Sequence, residues 1–184
     1  MRSVSLPTSA YLFGYRLMFQ IETNNQQSFL AVDGERLSLA AETVLAEEGI
    51  EEATINIAIV DDPTIHDLNR RFLSHDEPTD VLSFPFDDEG GRLEGDIIVS
   101  ADTAVRMAAQ LQWSAADELL LYVVHGLLHL VGYDDIDPQL RAEMHARQRH
   151  YMCMSGVRLS GDFEDEVAGR STDEKPKLML AQKS

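Results

Sequence analysis

His125 and His129 stand four residues apart in an apolar run from Leu119 to Val131, and that run ends in Gly132-Tyr133-Asp134-Asp135. On a helix an i, i+4 pair projects from one face, one turn apart, which is the geometry two imidazoles need to grip a single metal ion. Gly132 predicts a stop to that helix and a reversal of the chain. The reversal brings a further ligand, Asp135, six residues after His129. Two neutral imidazoles and one aspartate leave a divalent cation with net positive charge and at least one open position, the arrangement of a catalytic rather than a structural site. Zinc is the default ion for such a site, while histidine and carboxylate donors also suit iron, nickel or manganese.

The spacing matches the zinc-peptidase signature H-E-x-x-H-x-x-G-x-x-H with two substitutions: Gly126 replaces the glutamate and Asp135 the third histidine. The glutamate is the peptidase general base, and glycine cannot take a proton. The chain therefore keeps a zincin-like metal-binding helix without the protease base. A bare histidine pair on a buried helix is more often core than ligand; the glycine stop and the carboxylate at this spacing are what favour ligation. Asp134 is the nearest carboxylate that could act as base, and it is equally suited to forming the turn. A phosphodiester substrate relaxes the need for a dedicated base, because a metal ion polarises the phosphoryl oxygen and supplies hydroxide while an arginine neutralises developing charge.

These residues need a buried helix and a wall behind it. Phe19 to Thr23 alternates as a first strand, Asp33 caps a helix to about Glu48, and Ala53 to Val60 reads as the clearest strand, expected to be central. Pro63 sits just inside a helix running to about Arg71. Thr79 to Phe86 and Gly95 to Ser100 form a hairpin candidate across a Gly-rich loop. Helices follow over Ala101 to Leu111, from Ala115 to Val131 behind a capping Ser114, and from about Asp137-Pro138 to Met154. The expected class is α/β (α+β), helices packed on a small mixed sheet.

The chain has 184 residues and 44% hydrophobic content, enough for one domain, expected over 18–160. Residues 1–17 read as a loose extension with Met18 as a plausible start, and 161–184 as a disordered tail. The net charge of −17 argues against coating nucleic acid by bulk electrostatics. The lysines (Lys175, Lys177, Lys183) all lie in the last ten residues, so any RNA contact is local and uses arginine: Arg70, Arg71, Arg92, Arg141, Arg147 and Arg149 are candidates, each also readable as an ordinary solvated charge. The single cysteine, Cys153, excludes an intramolecular disulfide and a cysteine zinc cage, which suits a reducing cytoplasm. The run Leu119 to Val131 is too short to span a membrane.

The segments His125 to Asp135, Asp76-Glu-Pro-Thr-Asp-Val-Leu-Ser-Phe-Pro85 and Glu94-Gly-Asp-Ile-Ile-Val-Ser100 closely resemble the bacterial YbeY family, in order and spacing, over about Met18 to Gly156. The resemblance implies a single-strand-specific metal-dependent endoribonuclease acting in 16S ribosomal RNA 3′-end maturation and ribosome quality control. It also implies an α/β sandwich with a small sheet, one divalent ion, usually taken as zinc, on His125, His129 and Asp135, and ribosomal RNA and the ribosome as partners rather than DNA or membrane. Asp135 stands where the family usually has histidine, and Leu73 where it tends to have arginine; Arg70 or Arg71 would then substitute from the preceding turn. The competing readings are a hydrolase of another class, including a peptidase, a non-haem iron oxygenase, and a non-enzymatic ribosome assembly factor with a structural metal.

Overall fold

The computed structural model of the chain describes residues 8–12, 15–73, 76–77, 79–86 and 91–157. The elements run β1 (Thr8–Leu12), β2 (Tyr15–Asn25), α1 (Gly34–Glu47), β3 (Glu52–Val60), α2 (Asp62–Leu73), β4 (Val81–Phe86), β5 (Leu93–Ser100), α3 (Ala101–Leu111), α4 (Ala115–Leu130) and α5 (Pro138–Met154). One five-stranded sheet has the order β1-β2-β3-β5-β4. β2, β3 and β5 are mutually parallel neighbours, and the two edge strands are antiparallel to theirs. The sheet is mixed, β3 is central, and β4 and β5 pair as expected of a hairpin.

One expectation is corrected. Residues 8–12 and 15–17, read as part of a loose extension, are strand: β1 pairs with the outer edge of β2 from Thr8 opposite Phe19 to Leu12 opposite Tyr15. An edge strand needs only a neighbour's unpaired N–H and C=O groups, so it forms without the apolar alternation that marks a central strand. The expected tail, 161–184, and residues 1–7 lie outside the described residues, as does the side chain of Leu73.

Strand alternation divides the core into two unequal layers. Ile55, Ile57, Ile59, Val81, Ile97 and Val99 share one large cluster with α1, α4 and α5, whereas Val60 and Leu82 pack with Ile65 of α2 in a smaller one. Since successive strand residues point to opposite faces, α2 lies across the sheet from α4. α4 is buried along almost its whole length, from Glu118 and Leu119 to Leu130. Each fully buried leucine contributes up to about 1.5–3 kcal/mol, so α4 is anchored at many points before any polar residue on it is considered.

Gly126 permits that close seating. A Cβ at position 126 would lie 2.9 Å from Ile97 Cγ2 and Ser83 Oγ and 3.1 Å from Val81 Cγ2. The Ser83 hydroxyl donates to the Gly126 carbonyl at 3.2 Å, tying β4 to α4 at this closest approach. Position 126 thus faces the sheet, and a glutamate has no room there.

Candidate metal centre

The helix that carries the histidines is started by Ser114, whose hydroxyl accepts from the N–H groups of Ala116 and Asp117. At its end the Gly132 N–H donates to the His129 carbonyl at 3.1 Å and the Tyr133 N–H to the Leu128 carbonyl at 2.9 Å. With Gly132 at φ +103°, this is the double-bonded left-handed helix stop that glycine favours. Asp134 Oδ1 then accepts from the N–H groups of Asp135 at 2.7 Å and Ile136 at 3.2 Å, which shapes the loop that returns Asp135 to the histidines.

Ligand atoms of His125, His129 and Asp135 all lie within 4.8 Å of one another. His129 is 3% exposed, while His125 and Asp135 are half-buried, so the cluster is walled by the core and open on one side. The rings meet edge to face, with centroids 4.7 Å apart. His129 Nδ1 lies 3.1 Å from the Tyr133 carbonyl oxygen and His125 Nδ1 lies 3.0 Å from Gln148 Oε1. Both partners are acceptors, so each neutral ring carries its proton on Nδ1. That leaves the two Nε2 lone pairs facing each other at 3.1 Å.

Two acceptors at this distance repel unless a cation or proton lies between them. A tetrahedral zinc ion with Zn–N bonds of about 2.05 Å separates two nitrogens by roughly 3.3 Å, close to the spacing present, and the carboxylate completes a three-donor set. Burial, reinforced by the neighbouring His125, pushes His129 down to about 4, against a smaller opposing pull from Asp135. His129 therefore stays neutral near pH 7, the state in which imidazole binds a metal. The donor set fits a divalent metal ion.

The structure brings together His125, His129 and Asp135 and leaves Arg70 and Arg71 elsewhere. Arg70 and Arg71 are exposed on α2 and pair with Asp67 of the same helix at 2.8 and 2.6 Å, across the sheet from α4. Arg141, expected only as a candidate RNA contact, lies on one face of α5 with two residues that the sequence does not single out, His145 and Gln148. Arg141 Nη2 and Nε donate to the Asp135 carbonyl at 3.1 and 3.3 Å. His145 is lowered by burial first and then by the nearby His125. The i, i+4, i+7 spacing was visible in the sequence, but a link to residues on another helix was not.

A family model and curated relatives point to one family, and a solved structure shares the fold. The family described as Endoribonuclease YbeY matches residues 22–156, which include β3 to α5 and the whole cluster. Endoribonuclease YbeY of Rhodopirellula baltica is 41% identical over 139 residues, covering 74% of this chain and 72% of its own. Its counterpart in Moorella thermoacetica is 40% identical, over 73% of this chain and 96% of its own. The solution structure of TM1509 from Thermotoga maritima superposes with a TM-score of 0.55 at 27% identity, over 86% of this chain and 99% of that one. With its histidine helix, glycine stop and underlying hairpin all inside the matched span, this chain belongs to the YbeY family.

Proposed function

We propose that the chain is a metal-dependent endoribonuclease that cleaves single-stranded RNA, with His125, His129 and Asp135 holding one divalent ion, zinc by the donor chemistry. The substrate we assign is ribosomal RNA in the cytoplasm, at 16S 3′-end maturation and late ribosome quality control, with residues 18–160 as the catalytic domain. The observation that carries this reading is the pair of Nε2 lone pairs facing each other at 3.1 Å beside a carboxylate, on a wall of buried core. The relatives that match this chain are endoribonucleases by name.

A bound ion supplies Lewis acidity toward a phosphodiester and makes a water molecule acidic. The protein's own part is to hold three donors rigidly and to keep one side open. Asp134, with one carboxylate oxygen engaged in the loop, is the carboxylate nearest the cluster in sequence and the candidate proton acceptor. Exposed Arg70 and Arg71 are candidate phosphate contacts away from the centre. The charge of −17 favours delivery to RNA through a ribosomal protein over unaided binding. The same charge favours a second reading, an assembly factor whose metal is structural.

Metal analysis together with cleavage of a single-stranded RNA by wild type, His125→Ala and His129→Ala separates the two. Loss of a ligand is expected to remove stoichiometric metal and lower cleavage by on the order of 10³-fold with the fold retained, since metal catalysis supplies several kcal/mol. Unfolding on metal removal supports the assembly-factor reading. Wild-type cleavage by either variant would sink the endonuclease assignment.

A further inference from the structure

Although α4 and its turn carry the three donors, two of the contacts that orient them come from α5. Gln148 is 3% exposed, on a helix whose other buried residues are Met144, Tyr151 and Met152. Burying an amide without a hydrogen bond is costly, so a glutamine in that apolar face needs a partner. Its Oε1 finds one in His125 Nδ1 at 3.0 Å. Seven residues earlier, and hence two turns along the same face, Arg141 donates twice to the Asp135 carbonyl.

We propose that Gln148 is a positioning residue of the metal centre: by accepting the His125 Nδ1 proton it fixes the ring tautomer and aims Nε2 at the point where His129 and Asp135 converge. The proposal rests on the reading of these three residues as ligands of one ion. Which end of the amide faces the ring decides the outcome. Oε1 requires the proton on Nδ1 and frees Nε2 to coordinate; the amide nitrogen would require the proton on Nε2, where it blocks coordination. Arg141 clamps the other end of the centre from the same helix face, so docking of α5 sets the geometry of ligands that α5 does not carry.

His129 is oriented differently, by the backbone carbonyl of Tyr133, which no substitution removes. His125 depends on a replaceable side chain. The difference makes the role testable, since a ligand held by a side chain loses affinity when that side chain is changed, while the fold keeps its core.

The experiment is calorimetric titration of the metal-free full chain with Zn2+, and absorption spectra with Co2+, for wild type, Gln148→Met and Gln148→Glu, with melting temperatures alongside. Methionine matches glutamine in length and removes the acceptor. It is expected to weaken Zn2+ binding by about 10–100-fold and to perturb the Co2+ bands, with little change in the melting temperature of the metal-free protein. Glutamate can only accept at Nδ1, so Gln148→Glu is expected to bind at least as tightly as wild type. Equal Zn2+ affinity in wild type and Gln148→Met would overturn the positioning role and leave the centre standing. Absence of Zn2+ and Co2+ binding by wild type would overturn the metal centre and the positioning role with it. Weakened binding in both variants would mean that any change at 148 disturbs packing, and the tautomer role would fall.

Discussion

Two polar clusters bridge α5 to the α4 turn, and they differ in how their donors and acceptors balance. In the first, Glu48 at the end of α1 accepts from Arg147 Nε at 2.8 Å, from Arg147 Nη2, from the Tyr151 hydroxyl at 2.5 Å and from the Tyr133 hydroxyl at 3.1 Å. Arg147 also donates to the Tyr151 oxygen at 2.6 Å. One carboxylate accepts four hydrogen bonds from three residues, and the set is closed. In the second, two neutral imidazoles present lone pairs to each other beside a carboxylate, and the set has more acceptors than donors. The matched cluster locks three elements together. The unmatched one is where a cation belongs. An excess of lone pairs in a walled, one-sided opening is thus a better sign of a binding site than polarity or burial alone.

Acid should separate the clusters most widely. In the metal-free protein His129 is held at about 4 against an ordinary value of 6.5, chiefly by burial. Between those values the unfolded chain takes up a proton that the folded chain refuses. Stability is therefore full above about pH 6.5, falls as pH drops through that window, and has lost the whole contribution below about pH 4, on the order of 3 kcal/mol. His145 adds in the same direction, so the comparison is the difference in urea midpoint between wild type and His129→Gln at pH 7 and pH 4.5. Parallel midpoints for the two proteins would show that burial of this ring carries no such cost. At Glu48 burial alone would raise the carboxyl, but the hydrogen bonds from Tyr151, Arg147 and Tyr133 outweigh it and hold it below 4.5. The closed cluster accordingly keeps its contribution down to about pH 4.5, through most of the window that weakens the open one, and loses it as pH falls further.

Glu48→Ala tests the other side. It strands Arg147 and two phenols, but the Arg147 side chain is 32% exposed and can turn toward water. The expected cost is about 2 kcal/mol of stability after that discount, read as a lower melting temperature. Zn2+ affinity should stay within a few-fold of wild type. A loss of affinity as large as that expected for Gln148→Met would show that the two clusters act as one.

How much of this was legible follows from range in sequence. The Ser114 and Asp137-Pro138 starts, the Gly132 stop and the alternation of β3 are local signals, and the structure has all of them in place. Asp135 was legible because a glycine-stopped helix fixes the distance to the next few residues. Gln148, 23 residues from His125, was not, because only the docking of α5 on α4 brings them together. Gly126 was legible in part: its chemistry excludes a proton acceptor, whereas the crowding by Ile97, Ser83 and Val81 comes from two other strands. β1 carries no legible signal because an edge strand needs a backbone partner more than a pattern. Arg70 and Arg71 stand close in sequence to Leu73, and sequence does not say which face of the sheet α2 covers.

Tyr133 belongs to both clusters, which makes it the finest test of their separation. Its carbonyl oxygen holds the His129 ring and its hydroxyl donates to Glu48. Tyr133→Phe removes only the second contact, while Glu48 keeps its bonds to Arg147 and Tyr151. The loss of one hydrogen bond to a charged acceptor in a part-buried place is expected to cost about 1 kcal/mol, lowering the melting temperature by a few degrees. The glycine stop that sets the backbone of residue 133 is made by main-chain groups, so the carbonyl should stay on His129 and Zn2+ affinity should be unchanged. A drop in Zn2+ affinity of tenfold or more in Tyr133→Phe would mean that Glu48 positions the turn through the phenol, and the closed cluster would then count as part of the metal centre.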